Sequence, residues 1–278
     1  MQGRLVPPEG NRFQSFPRES WNLEFPNAQK AGIDCIEWIY DAYGEDINPI
    51  STDIGIDDIK RLCVKYVVNV SSVCADYFMD KPFLRTTPFE RKERIEKLIW
   101  LLHRCEMLDI KRIVLPFVDA SQIKTDSEFN DVIKILKQVL TVTEETGIEL
   151  HLETSLPPAR FKDLLDSIPH PLLKANYDSG NSSSLGYHPV EEFATYGNRI
   201  GSIHIKDRIK GGGTVPLGHG DADFKSLFEQ IKLIGYSGDY ILQVARDEPG
   251  IEVDWIKRNR MFLIEALKTA GLPVGGDL

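Results

Sequence analysis

The chain has 278 residues, and 33 Lys and Arg against 42 Asp and Glu leave it a net charge of −9. That acidity repels phosphate backbones and argues against nucleic-acid binding, while 42% hydrophobic and 27% charged residues exclude a mainly disordered chain. No apolar run approaches the roughly 18 residues of a membrane span. The opening MQGRLVPPEG lacks the apolar centre of a signal peptide. Four cysteines without a CxxC pair (Cys35, Cys63, Cys74 and Cys105) fit reduced, mostly buried thiols in a cytoplasmic protein.

Short β-branched runs alternate with amphipathic stretches along the whole chain. Strands are expected at 1–5, 33–39, 66–73, 110–117, 148–154, 173–178, 200–206 and 239–245. Helices are expected near 19–31 and 56–66, then over 88–108, 126–147, 159–168, 189–197, 223–235 and 253–271. In the 88–108 segment Ile95, Leu98, Ile99, Leu102 and Cys105 recur at helical spacing. Gly32, Gly147, Gly197, Gly235 and Gly271 fall where left-handed C-caps would end helices. Strict β-α alternation implies parallel strands with right-handed crossovers. Eight units over this length predict one (β/α)8 barrel of the α/β class over 1–271, with 272–278 as a loose tail. The alternative, an open doubly wound sheet, lacks its Gly-rich first turn.

In such a barrel the side chains that end strands converge on one mouth. Strand residues alternate faces, which turns Glu37, His151, Glu153, Asn176, Asp178, Ser202, His204, Lys206 and Gln243 inward. Glu153, Asp178, His204 and Gln243 then sit at similar heights on the fifth to eighth strands. Two carboxylates and an imidazole in one mouth need a cation. Oxygen donors with one imidazole suit Mn, Mg or Co, with Zn also compatible.

At these residues the sequence resembles the xylose-isomerase-like TIM-barrel superfamily of sugar and sugar-phosphate isomerases and epimerases. The resemblance spans nearly the whole chain. It is carried by QGRLVPP, IEW, LET, YDSGN, HIKDR and TVPLGHGDADF, the HIKD with its following Gly218, Gly220, Asp223 and Phe224 being the most specific part. The resemblance implies metal ligands at Glu153, Asp178 and His204, and a small-molecule sugar or sugar phosphate as substrate. It implies proton transfer next to a carbonyl through an enediol. The family usually has Glu where this chain has Gln243, and many relatives have DxGH where this chain has Asn181. Gln can ligate through its oxygen but cannot take a proton. Glu153 is then the obvious base, with Lys206, Asp207 or His219 as a second acid.

Arg4 and Arg246 could hold a substrate phosphate or carboxylate, or pair with Glu37 or Asp247. Glu37, Asp76, Asn181, Asp207 and His219 are further candidates at the mouth. Tyr77 and Phe78 could wall an apolar side, and Ser182, Ser183 and Ser184 form a polar loop. Besides an isomerase or epimerase, a non-catalytic sugar-binding barrel and a lyase or dehydratase on the same scaffold remain open. A homo-oligomer is compatible with either. Six His, with His103, His170 and His188 away from strand ends, argue against a multi-zinc endonuclease.

Overall fold

The computed structural model describes residues 1–10 and 12–274. Seven strands form one parallel sheet in chain order: β1 Cys35–Ile39, β2 Asn69–Cys74, β3 Arg112–Phe117, β4 Glu149–Thr154, β5 Leu173–Asp178, β6 Ile200–Ile205 and, last, β9 Tyr240–Leu242. Two short strands, β7 Asp207–Arg208 and β8 Thr214–Val215, form a separate antiparallel hairpin. The helices are α1 Glu24–Ala31, α2 Asp53–Tyr66, α3 Tyr77–Asp80, α4 Pro88–Met107, α5 Asp126–Thr146, α6 Pro158–Asp166, α7 Ser179–Leu185, α8 Pro189–Tyr196, α9 Phe224–Leu233 and α10 Glu252–Ala270.

The N-terminal segment brings the two edges of the sheet together. Gln2 makes a parallel bridge with Glu37. Its N–H donates to the Leu242 carbonyl at 3.2 Å, and the Glu37 N–H donates to the Met1 carbonyl at 2.9 Å. The strand expected over 1–5 is therefore reduced to one bridge. Gly3 takes a φ of 52°, which leaves the extended region, and a Cβ there would lie 2.3 Å from Ile39 Cδ1. The Arg4 guanidinium also occupies the carbonyls of Gln2 and Val244, both at 2.7 Å, which continued pairing would use.

Local chemistry sets the helix ends. Thr87 with Glu90 and Thr125 with Glu128 form capping boxes at the starts of α4 and α5. Gly32, Gly147 and Gly271 are left-handed C-caps. Gly197 is not: its φ of −55° carries the chain into a 3-10 turn over Gly197–Arg199. Ser182 to Ser184 belong to α7 rather than a loop. The Asp178 carboxylate caps that helix by accepting the Asn181 N–H, and Gly186 ends it. A packed layer between sheet and helices holds the ring: Leu98, Leu102, Ile113, Leu115, Leu136, Leu150 and Leu152 are fully buried. Burying each Leu or Ile contributes about 1.5–3 kcal/mol.

Leu272 and Val274 pack against this core, and the Leu272 N–H bonds the Leu267 carbonyl at 2.9 Å, so the first part of the expected tail is docked. Its remainder, 275–278, lies outside the described residues. Cys74 and Cys105 are buried free thiols, and Cys35 and Cys63 are half-buried ones. Among the described residues no helix is long and apolar enough to cross a membrane.

Candidate metal centre

Glu153, Asp178 and His204 end or nearly end β4, β5 and β6, and all three are buried. Parallel register puts Asp178 directly beside His204. His204 Nδ1 lies 3.3 Å from Glu153 Oε2 and 3.8 Å from Asp178 Oδ2. One donor atom from each of the three comes within 4.8 Å of the other two, and among the described residues this is the one such cluster of His, Cys, Asp and Glu.

The opposite ring nitrogen is held from below. His204 Nε2 lies 2.8 Å from Glu37 Oε1, and Glu37 Oε2 accepts the Ser72 hydroxyl at 2.7 Å. Burial opposes charge on both groups, but mutual attraction wins. The His204 pKa stands well above the ordinary histidine range, beside Glu37, Asp178 and Glu153, and that of Glu37 falls below the ordinary carboxylate range.

Amides orient the Glu153 carboxylate. Asn181 Nδ2 donates to Oε1 at 2.6 Å and Asn176 Nδ2 to Oε2 at 2.9 Å. Asn176 Oδ1 accepts the Ser202 hydroxyl at 2.6 Å, and Ser202 Oγ meets His151 Nδ1 at 2.7 Å. His151 thus supports the site from the next layer down. Lys206 Nζ donates to Gln243 Oε1 at 2.7 Å and lies 3.5 Å from Asp178 Oδ2. Gln243 Nε2 donates to Gln2 Oε1 at 2.6 Å. Gln243, expected beside the three donors as a fourth, therefore has both ends of its amide engaged.

The donor set suits a divalent cation. Asp178 Oδ2 is buried and accepts no hydrogen bond, its charged neighbours being the Lys206 ammonium at 3.5 Å and His204 Nδ1 at 3.8 Å, which leaves it room to serve a cation as a donor. Three buried carboxylates (Glu37, Glu153 and Asp178) share the centre with one ammonium. A dication beside a neutral His204 ring brings that group to charge balance.

The other expected site residues have the following surroundings. Asp207 is fully buried, and its carboxylate accepts the N–H groups of Gly218 and Gly220, both at 2.9 Å, and Ala222 at 3.1 Å. It pins the glycine loop. Arg246 donates to the carbonyls of Gly3, Val6 and Phe13, so with Arg4 it ties the N-terminal segment down without pairing to Asp247 or Glu37. Burial and the neighbouring Arg246 lower the Arg4 pKa to about 10. Arg4 also meets Gln14 Oε1 at 3.1 Å, and Gln14 Nε2 donates to Asp76 Oδ2 at 2.6 Å. Burial pushes Asp76 up to about 7. Tyr77 and Phe78 are buried in α3. His219 is exposed in the loop after β8. Asn176, Ser202, Ser72 and Gln2 complete the network. Alternation flags the first two as inward, but nothing in the sequence marks their partners.

A cavity of about 1040 Å³ lies at the other end of the barrel, lined by Met1, Cys35, Asn69, Arg112, Tyr240 and neighbours. It is remote from the cluster, since it borders the starts of the strands rather than their ends.

A family model described as xylose isomerase-like TIM barrel matches residues 25–266. The chain is 24% identical over 266 residues to L-ribulose-5-phosphate 3-epimerase UlaE of Shigella flexneri serotype 5b (strain 8401), covering 86% of this chain and 89% of that protein. It is 29% identical over 147 residues to inosose dehydratase of Geobacillus kaustophilus (strain HTA426), covering 44% of this chain and 47% of that protein, so it matches about half the length of that relative. The crystal structure of the IolI protein with a bound zinc atom superposes with a TM-score of 0.75 at 16% identity, covering 91% of this chain and 94% of that one. These curated relatives are enzymes, and the chain belongs to the xylose isomerase-like TIM-barrel family.

Proposed function

We propose that the protein is a divalent-cation-dependent isomerase or epimerase of a small sugar or sugar phosphate, with Glu153 as the group that moves a proton next to the carbonyl. The observation that carries this is the convergence of Glu153, Asp178 and His204, with Asp178 Oδ2 buried and accepting no hydrogen bond. The relatives named as a sugar-phosphate epimerase and an inosose dehydratase, and the zinc in the IolI structure, support it. Mn, Mg, Co and Zn are all compatible with two carboxylates and an imidazole.

When bound, a divalent cation would polarise the carbonyl and acidify the neighbouring C–H. Glu153, Asp178 and His204 would hold it, and Glu37 keeps the His204 ring in one orientation. The two amides on Glu153 fix its carboxylate so that the proton is received in one geometry. Lys206 presents an ammonium beside Asp178, suited to donating toward a substrate oxygen. Among the carboxylates gathered at the cluster, Glu37 is committed to the His204 ring and Asp178 to the cation and the α7 cap, which leaves Glu153, itself a donor to the cation, as the one placed to move the proton. One-base isomerisation therefore fits better than a two-base inversion. The same pair favours a second reading, dehydration, in which Glu153 takes the C–H proton and Lys206 protonates the departing hydroxyl.

The test is NMR product analysis on a panel of ketoses, ketose phosphates and inososes, with Mn present, after EDTA stripping and after Mn is restored. Turnover that disappears with stripping and returns with Mn is expected, and the product class separates the two readings. Turnover indifferent to EDTA, or none across the panel, would overturn the proposal.

A further inference from the structure

The position equivalent to a fourth donor carries Gln243, and its surroundings show a different task. Its amide oxygen is 2.7 Å from Lys206 Nζ, and its amide nitrogen is 2.6 Å from Gln2 Oε1. All three side chains are buried, Gln2 completely. An amide has one oxygen. Here that oxygen faces an ammonium, and the Gln2 carbonyl oxygen at the other end selects this orientation over the flipped one. A flipped amide would put two N–H groups against Lys206 and two oxygens against each other.

The Lys206 stem has its own prepared space. At Gly180 in α7, a Cβ would lie 2.6 Å from Lys206 Cγ and 3.0 Å from its Cβ and Cδ. Glycine there lets the stem lie against the helix and delivers Nζ to within 3.5 Å of Asp178 Oδ2 and 3.4 Å of Asn181 Oδ1. Two separate features, an oriented amide chain and a glycine-lined track, thus place the same ammonium.

Resting on the cation reading above, we infer that Gln243 is a positioning residue that clamps Lys206, and that a cation at this centre takes three side-chain donors: Glu153, Asp178 and His204. The ammonium opposes a cation at Asp178, so Lys206 sets its affinity, and Gln243 acts only through Lys206.

A double-mutant cycle read by Mn titration of the whole protein separates clamp from ligand. Gln243→Met keeps the side-chain volume without a donor oxygen, and Lys206→Met removes the ammonium. Thermal melts of each variant confirm folding, and Gln243→Leu substitutes where Gln243→Met fails it. Lys206→Met is expected to tighten Mn binding about tenfold, since a unit charge at this range is only partly screened. In the Lys206→Met background, Gln243→Met is expected to leave the Mn affinity within about threefold, because residues in contact couple and Gln243 has nothing to act through once Lys206 is gone. A loss of about tenfold or more in that background would show Gln243 to be a donor and overturn the inference while leaving the cation reading intact. Wild-type protein that binds no Mn at millimolar concentration would overturn the cation reading itself, and the inference with it.

Discussion

His204 Nε2 stands 2.8 Å from Glu37 Oε1, and both side chains are fully buried. One ring nitrogen is therefore held by a carboxylate on β1 while the other faces Glu153 and Asp178, the arrangement in which an imidazole presents a fixed, electron-rich donor. Glu37→Gln keeps the shape and removes the charge. It should weaken Mn binding by about 10–100-fold, the usual effect of losing such a supporting carboxylate. Isothermal titration checks this, and an unchanged affinity would show that Glu37 does not act through His204.

Asp207 and Gly220 form a second constrained pair. A Cβ on residue 220 would sit 2.2 Å from Asp207 Oδ1 and 2.7 Å from the Arg208 carbonyl. Gly220→Ala should cost about 1–3 kcal/mol, the range for overpacking a filled site. The urea midpoint is the readout, and a midpoint equal to wild type contradicts the tight packing of this loop.

Glu192, in α8, gives the stability a pH dependence. Burial pushes its carboxyl from 4.5 up to about 7, against hydrogen bonds from Ser182, Tyr196 and Tyr177 that favour ionisation. Below pH 4.5 it is neutral in both folded and unfolded chains. Between 4.5 and about 7 the unfolded chain alone releases the proton, so stability falls as pH rises. Past 7 the accumulated loss is about 3 kcal/mol, from 1.36 kcal/mol per unit. Glu192→Gln stays neutral and still offers an oxygen to the Ser182 and Tyr196 hydroxyls. Its stability relative to wild type should therefore grow by about that amount between pH 4.5 and 8. Glu24 and Asp76, also raised to about 7 by burial, are common to both proteins and cancel. A pH-independent difference in urea unfolding contradicts this.

The period-two alternation of β4, β5 and β6 made Glu153, Asp178 and His204 legible as one inward cluster, because a strand has only two faces and the apolar residues claim one. The ring of strands was legible for the same reason, through apolar runs alternating with helical periodicity. Closure at Gln2 was not. Whether a five-residue run pairs fully depends on Gly3 φ and on where Arg4 finds carbonyls, and neither has a sequence period. Asp207 shows the same limit: an acid after a strand can face substrate or cap loop amides, and only the fold of 216–222 decides. The α7 helix is not legible because three consecutive serines carry no helical period, and the carboxylate that starts it, Asp178, also reads as a metal ligand. Gln243 lay on the right face, but its partners come from residues 2 and 206, distances no spacing reveals.

In the proposed reaction Glu153 moves the proton next to a carbonyl with a divalent cation in place. Solvent deuterium exchange into that carbon, followed by NMR at saturating Mn, tests it most directly. With a responsive ketose or ketose phosphate, wild-type protein should incorporate deuterium. Glu153→Gln should slow incorporation by about 10²–10⁴-fold, the range for losing a positioned general base, and EDTA should abolish it. Incorporation that proceeds at the wild-type rate in Glu153→Gln, or survives removal of the cation, would contradict the account.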